Sequence, residues 1–195
     1  NTIVAESFRE IADELEKADN FDMACHDMIK KLFTEHHRIV FNGNGYSDEW
    51  VEEAERRGLP NIKSMVDAVP ALTAPKAIKL FESFGVFTES ELRSRAEIKY
   101  EAYAKAINIE AKSMIDIASK HIIPAVVSYT TELANSVIAV SEAGVDSSTQ
   151  KELLDEVTKY LKEMKAALKK LTEVTEKASD ITEGKEQATY FRDVV

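Results

Sequence analysis

Between Leu154 and Ala178 the residues Leu154, Val157, Leu161, Met164, Leu168, Leu171, Thr175 and Ala178 recur at steps of 3, 4, 3, 4, 3, 4 and 3, with Lys and Glu filling most positions between them. On an α-helix this series falls on one narrow stripe, two residues per heptad, which one partner helix is enough to cover. The segment just before it is the nearest partner. Thr88-Glu89-Ser90-Glu91 is a capping box, flanked by Phe87 and Leu92 at the positions of a hydrophobic staple, so a helix begins there. Tyr100, Ala104, Ile107, Ala111, Met114, Ala118 and Ile122 carry it forward, and Leu133, Val137 and Val140 continue it beyond Pro124, which is read as a kink and not an end. Gly144 and Asp146–Thr149 supply a reversal, with Thr149 and Glu152 as a second capping box, and Gly184 ends the return helix. The expectation is an all-α fold: a helical bundle dominated by a long antiparallel hairpin over 89–183.

Upstream the pattern is choppier. Residues 2–17 form an amphipathic helix, and a second begins after an Asn20 cap, burying Phe21, Ala24, Met28, Leu32 and Phe33 and fading near His36. Asn42-Gly43-Asn44-Gly45 offers four residues that enter left-handed backbone cheaply, so the stretch to Ser47 reads as a tight turn. Ser47 then caps a short helix to Arg57 that stops at Gly58. Residues 61–72 are irregular or weakly helical, and Thr73 caps a helix from 74 to about 83. The irregular Gly/Pro-containing region therefore spans 19–88, and 184–195 begins a further helix.

The bulk properties exclude several function classes. At 195 residues with 44% hydrophobic and 31% charged residues, a real core is expected. A net charge of −10 repels a phosphate backbone, so nucleic acid is not a partner. The single cysteine, Cys25, makes no internal disulfide and reads as a small core residue in a cytoplasmic protein. No uninterrupted apolar run approaches the ~18 residues that span a bilayer, so no membrane is expected. Both ends read as cut from something longer.

Chemical motifs are mostly missing. None of His26, His36, His37 and His121 follows an acid at the Glu-x-x-His spacing of a di-iron bundle, so no metal site is expected. The glycine loop lacks both the third glycine of a dinucleotide fingerprint, Asp48 standing there, and the Gly-Lys-Ser/Thr of a P-loop. It reads foremost as a structural turn; the alternative is a loop in which Asn42, Gly43, Asn44, Gly45, Tyr46 and Ser47 contact a ligand or a neighbouring subunit. Tyr100 and Tyr103 read as core. No catalytic residue, cofactor site or metal site is assigned within this chain.

Four runs carry a family resemblance: HHRIVFNGNGYSDEWVEEAERRGLPN at 36–61, FGVFTESELRSR at 84–95, AINIEAKSMID at 106–116 and HIIPAVVSY at 121–129. They resemble the C-terminal region of the type III glutamine synthetases, the large bacterial form of glutamate–ammonia ligase. The resemblance implies that residues 1–18 are the closing helix of a catalytic domain and that the rest is a helical region peculiar to this type. It implies a parent reaction, ATP-dependent amidation of glutamate with Mg2+ or Mn2+, whose metal and nucleotide residues lie upstream of residue 1, leaving this chain inactive alone. It also implies a ring-shaped homo-oligomer whose other subunits are the partners, the hairpin serving assembly, structure or regulation. Two other readings stay open: a self-standing helical scaffold or adaptor binding a partner helix, and an enzyme built on the Asn42–Ser47 loop.

Overall fold

The computed structural model describes all of residues 1–195, and every regular element in it is helical. Its α-helices are α1 (Thr2–Leu15), α2 (Phe21–His36), α3 (Asp48–Arg56), α4 (Met65–Ala68), α5 (Pro75–Ser83), α6 (Glu89–Ile117), α7 (Ile123–Glu142), α8 (Ser148–Ala178) and α9 (Gly184–Asp193). The chain separates into two compact units, Asn1–Ala96 and Glu97–Val195, with the division falling inside α6.

In the second unit the expected hairpin is present. α8, about 46 Å long at 1.5 Å per residue, packs back along α7. All eight stripe residues from Leu154 to Ala178 are buried or half-buried. The stripe ends in a small core in which Ala104 of α6, Ala178 of α8 and Phe191 of α9 are all but closed to solvent, with Tyr103, Ile107, Tyr190 and Val195 packed around them. Two alanines at such a contact let the helices approach closely.

The helical run from Glu89 to Glu142 is continuous through Pro124, but not all of it is α-helix. Residues Ala118–Ile122 form a π turn, and Ile123 N–H donates back to Ala118 O, five residues earlier. This overturns part of the expected seam. The inward positions are Tyr100, Ala104, Ile107, Ala111, Ile115, Ala118, Ile123, Val126, Thr130, Leu133, Val137 and Val140. Every step in that series is three or four except Ala118 to Ile123, which is five. Met114 and Ile122, expected on the seam, are therefore exposed. The wider π turn absorbs the extra residue and keeps α7 facing α8. It stands directly before Pro124, which has no N–H to offer an upstream carbonyl.

The reversal uses Gly144 at φ +75°, with Gly144 N–H donating to Ser141 O (3.0 Å) and Val145 N–H to Val140 O (3.2 Å). Beyond it the Thr149–Glu152 box is not used. α8 starts earlier, at Ser148, whose N–H and hydroxyl donate to the Asp146 carboxylate at 3.1 and 2.8 Å. Ser147 is buried and shares a hydrogen bond of 2.7 Å with Ser141. At its other end α8 stops at Ala178, short of Gly184. The Gln187 side-chain amide donates to the carbonyls of Ala178 (2.9 Å) and Ile181 (3.0 Å), tying off the helix end from α9. Gly184 opens α9 instead, where an added Cβ would lie 2.9 Å from the Glu97 carboxylate.

In the first unit α1 and α2 form as expected, and the Asn20 side chain accepts from Met23 N–H at 3.1 Å. Their burial does not follow the pattern. Ala24, Met28 and Leu32 are half-buried, but Phe21 and Phe33 are 61% and 65% exposed, as are Ile3, Val4 and Phe8 to a similar degree. An amphipathic stripe records which face would be covered, and within this unit too few elements pack on α1 and α2 to cover it. Cys25 is half-buried.

The closing stretch of the unit is better packed. Val66, Val69, Leu92 and Ala96 are buried, Leu92 completely. The capping box forms as the sequence requires: Thr88 N–H donates to Glu91 Oε2 (2.8 Å) and Glu91 N–H to Thr88 Oγ1 (3.3 Å). Those bonds to Thr88 hold the Glu91 carboxyl below its usual range. Phe87 sits 5.6 Å from Phe81 and beneath the Arg95 guanidinium, at 4.2 Å. Thr73 caps nothing; it closes a 3-10 turn over Val69–Thr73, and Pro75 starts α5, where its missing N–H costs no bond.

Candidate functional site

The loop Asn42–Ser47 is held by contacts that periodicity does not reveal. Phe41 stacks on Trp50 of α3, ring centroids 4.4 Å apart and planes inclined by 27°. Arg57, just beyond α3, lays its guanidinium 5.7 Å from the Trp50 ring centroid and donates from Nη1 to the carbonyls of Arg38 (3.1 Å) and Val40 (2.7 Å). Its Nε donates to Glu53 at 2.5 Å. Arg56 donates to the same carboxylate, and with both guanidinium groups on it the Glu53 carboxyl is held down at about 2. One arginine thus ties the strand of chain entering the loop to the helix leaving it.

Inside the loop the expected left-handed turn is not found: none of residues 42–45 has positive φ. Gly43 is required for space, because a Cβ there would lie 2.6 Å from the Phe41 ring. Asn44 closes the turn with its side chain, accepting from Tyr46 N–H at 3.0 Å. Ser47, expected to cap α3, donates its hydroxyl to Asn44 O at 2.8 Å and makes no cap bond. What projects is Tyr46, 101% exposed. Gly58 ends α3 at φ +69°, with Leu59 N–H reaching Ala54 O at 2.9 Å.

All six residues singled out from the sequence therefore share one anchored loop. The residues that anchor it, Phe41, Trp50, Glu53 and Arg57, were not singled out. A pair of aromatics flanking the glycines and a Glu–Arg pair at i, i+4 were the available signals. No group of three or more His, Cys, Asp or Glu side chains converges anywhere in the chain. Tyr100 is buried and Tyr103 packs against the Ala104 core.

The long helical run contains an apolar stretch that a search for unbroken apolar runs passes over. Glu89–Glu142 contains an 18-residue window that, by length and composition, is apolar enough to cross a bilayer, and only 6% of that window is buried. Polar interruptions such as Ser128 and Glu132 hide it from a search for unbroken apolar runs. A two-helix hairpin covers one face of each helix and leaves the other open, which accounts for the low burial.

Comparison with known proteins identifies what carries this loop and hairpin. The model of the glutamine synthetase C-terminal domain matches residues 24–141, more than half of the chain. A glutamine synthetase of Butyrivibrio fibrisolvens is 38% identical over 171 residues, covering 87% of this chain and 24% of that protein. A type-3 glutamine synthetase of Dictyostelium discoideum is 41% identical over 143 residues, covering 72% and 20%. A glutamine synthetase of Bacteroides fragilis (strain YCH46) is 30% identical over 195 residues, covering 96% and 27%. The chain thus spans about a quarter of the length of these relatives. The match embraces both the Asn42–Ser47 loop and the helical run to Ser141, and the chain belongs to the glutamine synthetase C-terminal domain family.

Proposed function

We propose that this chain is the non-catalytic helical C-terminal portion of a type III glutamine synthetase, with a structural and assembly role beside the ligase reaction. The observation that carries the reading is the coverage: relatives named glutamine synthetase align with 72–96% of this chain but devote only 20–27% of their own length to it. The type III assignment rests on the relative of that name and on the Asn-Gly-Asn-Gly-Tyr-Ser run. In this reading the parent enzyme is cytoplasmic, makes glutamine from glutamate and ammonia using ATP and Mg2+ or Mn2+, and assembles as a ring of identical subunits. Neither nucleic acid nor membrane is a partner.

The residues of this chain do not fit the metal or the nucleotide, since no set of His, Cys, Asp and Glu side chains converges and the glycine loop is closed on its own aromatic ring. No step of the reaction is assigned to them. What the chain offers instead is a long, narrow hairpin, anchored at its base by Ala104, Ala178 and Phe191.

The test is deletion of residues 89–183 from the full-length synthetase, followed by sedimentation velocity and steady-state kinetics. Loss of the assembled ring, or altered kinetics in an intact ring, is the expected result. Unchanged oligomer size and unchanged kinetics would reject it. The exposed aromatics of α1 and α2 favour a second reading, a scaffold for a different protein. A stoichiometric partner that is not a synthetase subunit would decide for it.

A further inference from the structure

We draw no further inference here: the strongest candidate, the exposed apolar face of α7, where Val127, Tyr129 and Ile138 stand in solvent and Glu132 is the one charged residue between Ile123 and Ser141, carries nothing because nothing in the structure shows what covers it.

Discussion

The α7–α8 hairpin and the Asn42–Ser47 loop solve opposite problems with opposite means. The hairpin is held by repetition: of eight stripe positions on α8, six are half-buried and Thr175 and Ala178 are buried, with the tightest packing where Ala178 meets Ala104 and Phe191. The loop is held by singular contacts, each made once, and Arg57 takes part in several of them. A repeated pattern tolerates the loss of one member and fails on a change of register. A set of singular contacts has no register and fails at its hub.

The largest expected effect exploits that difference. Inserting one alanine after Lys120 turns the five-residue step across the π turn into six, rotating Leu133, Val137 and Val140 away from α8. Withdrawing those side chains from their partner is expected to cost on the order of 5 kcal/mol, read as a fall in melting temperature and rapid hydrogen exchange throughout α7 and α8. Deleting His121 does the reverse. The step becomes four, which a plain α-helix accommodates, so the hairpin should persist with exchange protection close to wild type. Equal damage from insertion and deletion would mean that the π turn does not set the register.

At the base of the hairpin, Phe191→Ala empties the most tightly enclosed aromatic site of the second unit. A loss of about 3 kcal/mol is expected for a buried phenylalanine replaced by alanine, measured by chemical denaturation. A change below ~1 kcal/mol would show that the small core collapses around the gap.

How much of this was legible in advance follows the same division. The hairpin, its capping box at Thr88 and its reversal at Gly144 could be read because periodicity and capping are local rules that tertiary contacts here reinforce. The π turn could not be read, since unbroken steps of three and four run through Met114 and Ile122, whereas the buried series runs through Ile115 and reaches Ile123 only by a step of five. The α1 and α2 stripes were read correctly as amphipathic, but nothing in a stripe says whether its cover lies in the same chain; Phe21 and Phe33 stay exposed. The six loop residues were picked out for their glycines and for the wrong reason. Left-handed backbone was expected, and clearance for the Phe41 ring is what Gly43 supplies. Of Arg57 the sequence shows only the pairing with Glu53 at i, i+4; its two carbonyl partners lie 17 and 19 residues upstream and leave no local signal.

In the loop, Arg57→Ala removes the hub. Two backbone carbonyls lose their donor and Glu53 loses one of its two arginines, for an expected cost of about 1–2 kcal/mol. Trp50 is the only tryptophan in the chain, so its emission reports this site alone. A red shift and easier quenching by iodide are expected in Arg57→Ala, with the melting of the hairpin unchanged. An Arg57→Lys variant should resemble alanine more than wild type, because an ammonium cannot span both carbonyls and the carboxylate in one plane.

The smallest effect is a pH dependence confined to the loop. The Glu53 carboxyl is held at about 2, first by hydrogen bonds from Arg56 and Arg57 and then by their charge, against 4.5 without them. A carboxyl whose pKa is depressed on folding contributes stability that is fully present above the unfolded value and is lost as pH falls toward the folded one. The clamp should therefore be intact at pH 5 and above, weaken progressively below about pH 4.5, and be lost near pH 2. Trp50 emission should follow that course in the wild-type chain. Glu53→Gln, which cannot ionise, should begin with the weakened emission at neutral pH and show no further change over that window beyond what other groups cause. If the two titrations superimpose, the acid-sensitive element is elsewhere, with Glu91 at the α6 cap and Asp146 at the α8 start among the other carboxyls held low, these two by hydrogen bonds from Thr88 and Ser148. Because those two lie at helix starts and Trp50 does not report on them, helicity would then change while tryptophan emission followed only passively, and the order of the two signals on acidification separates the cases.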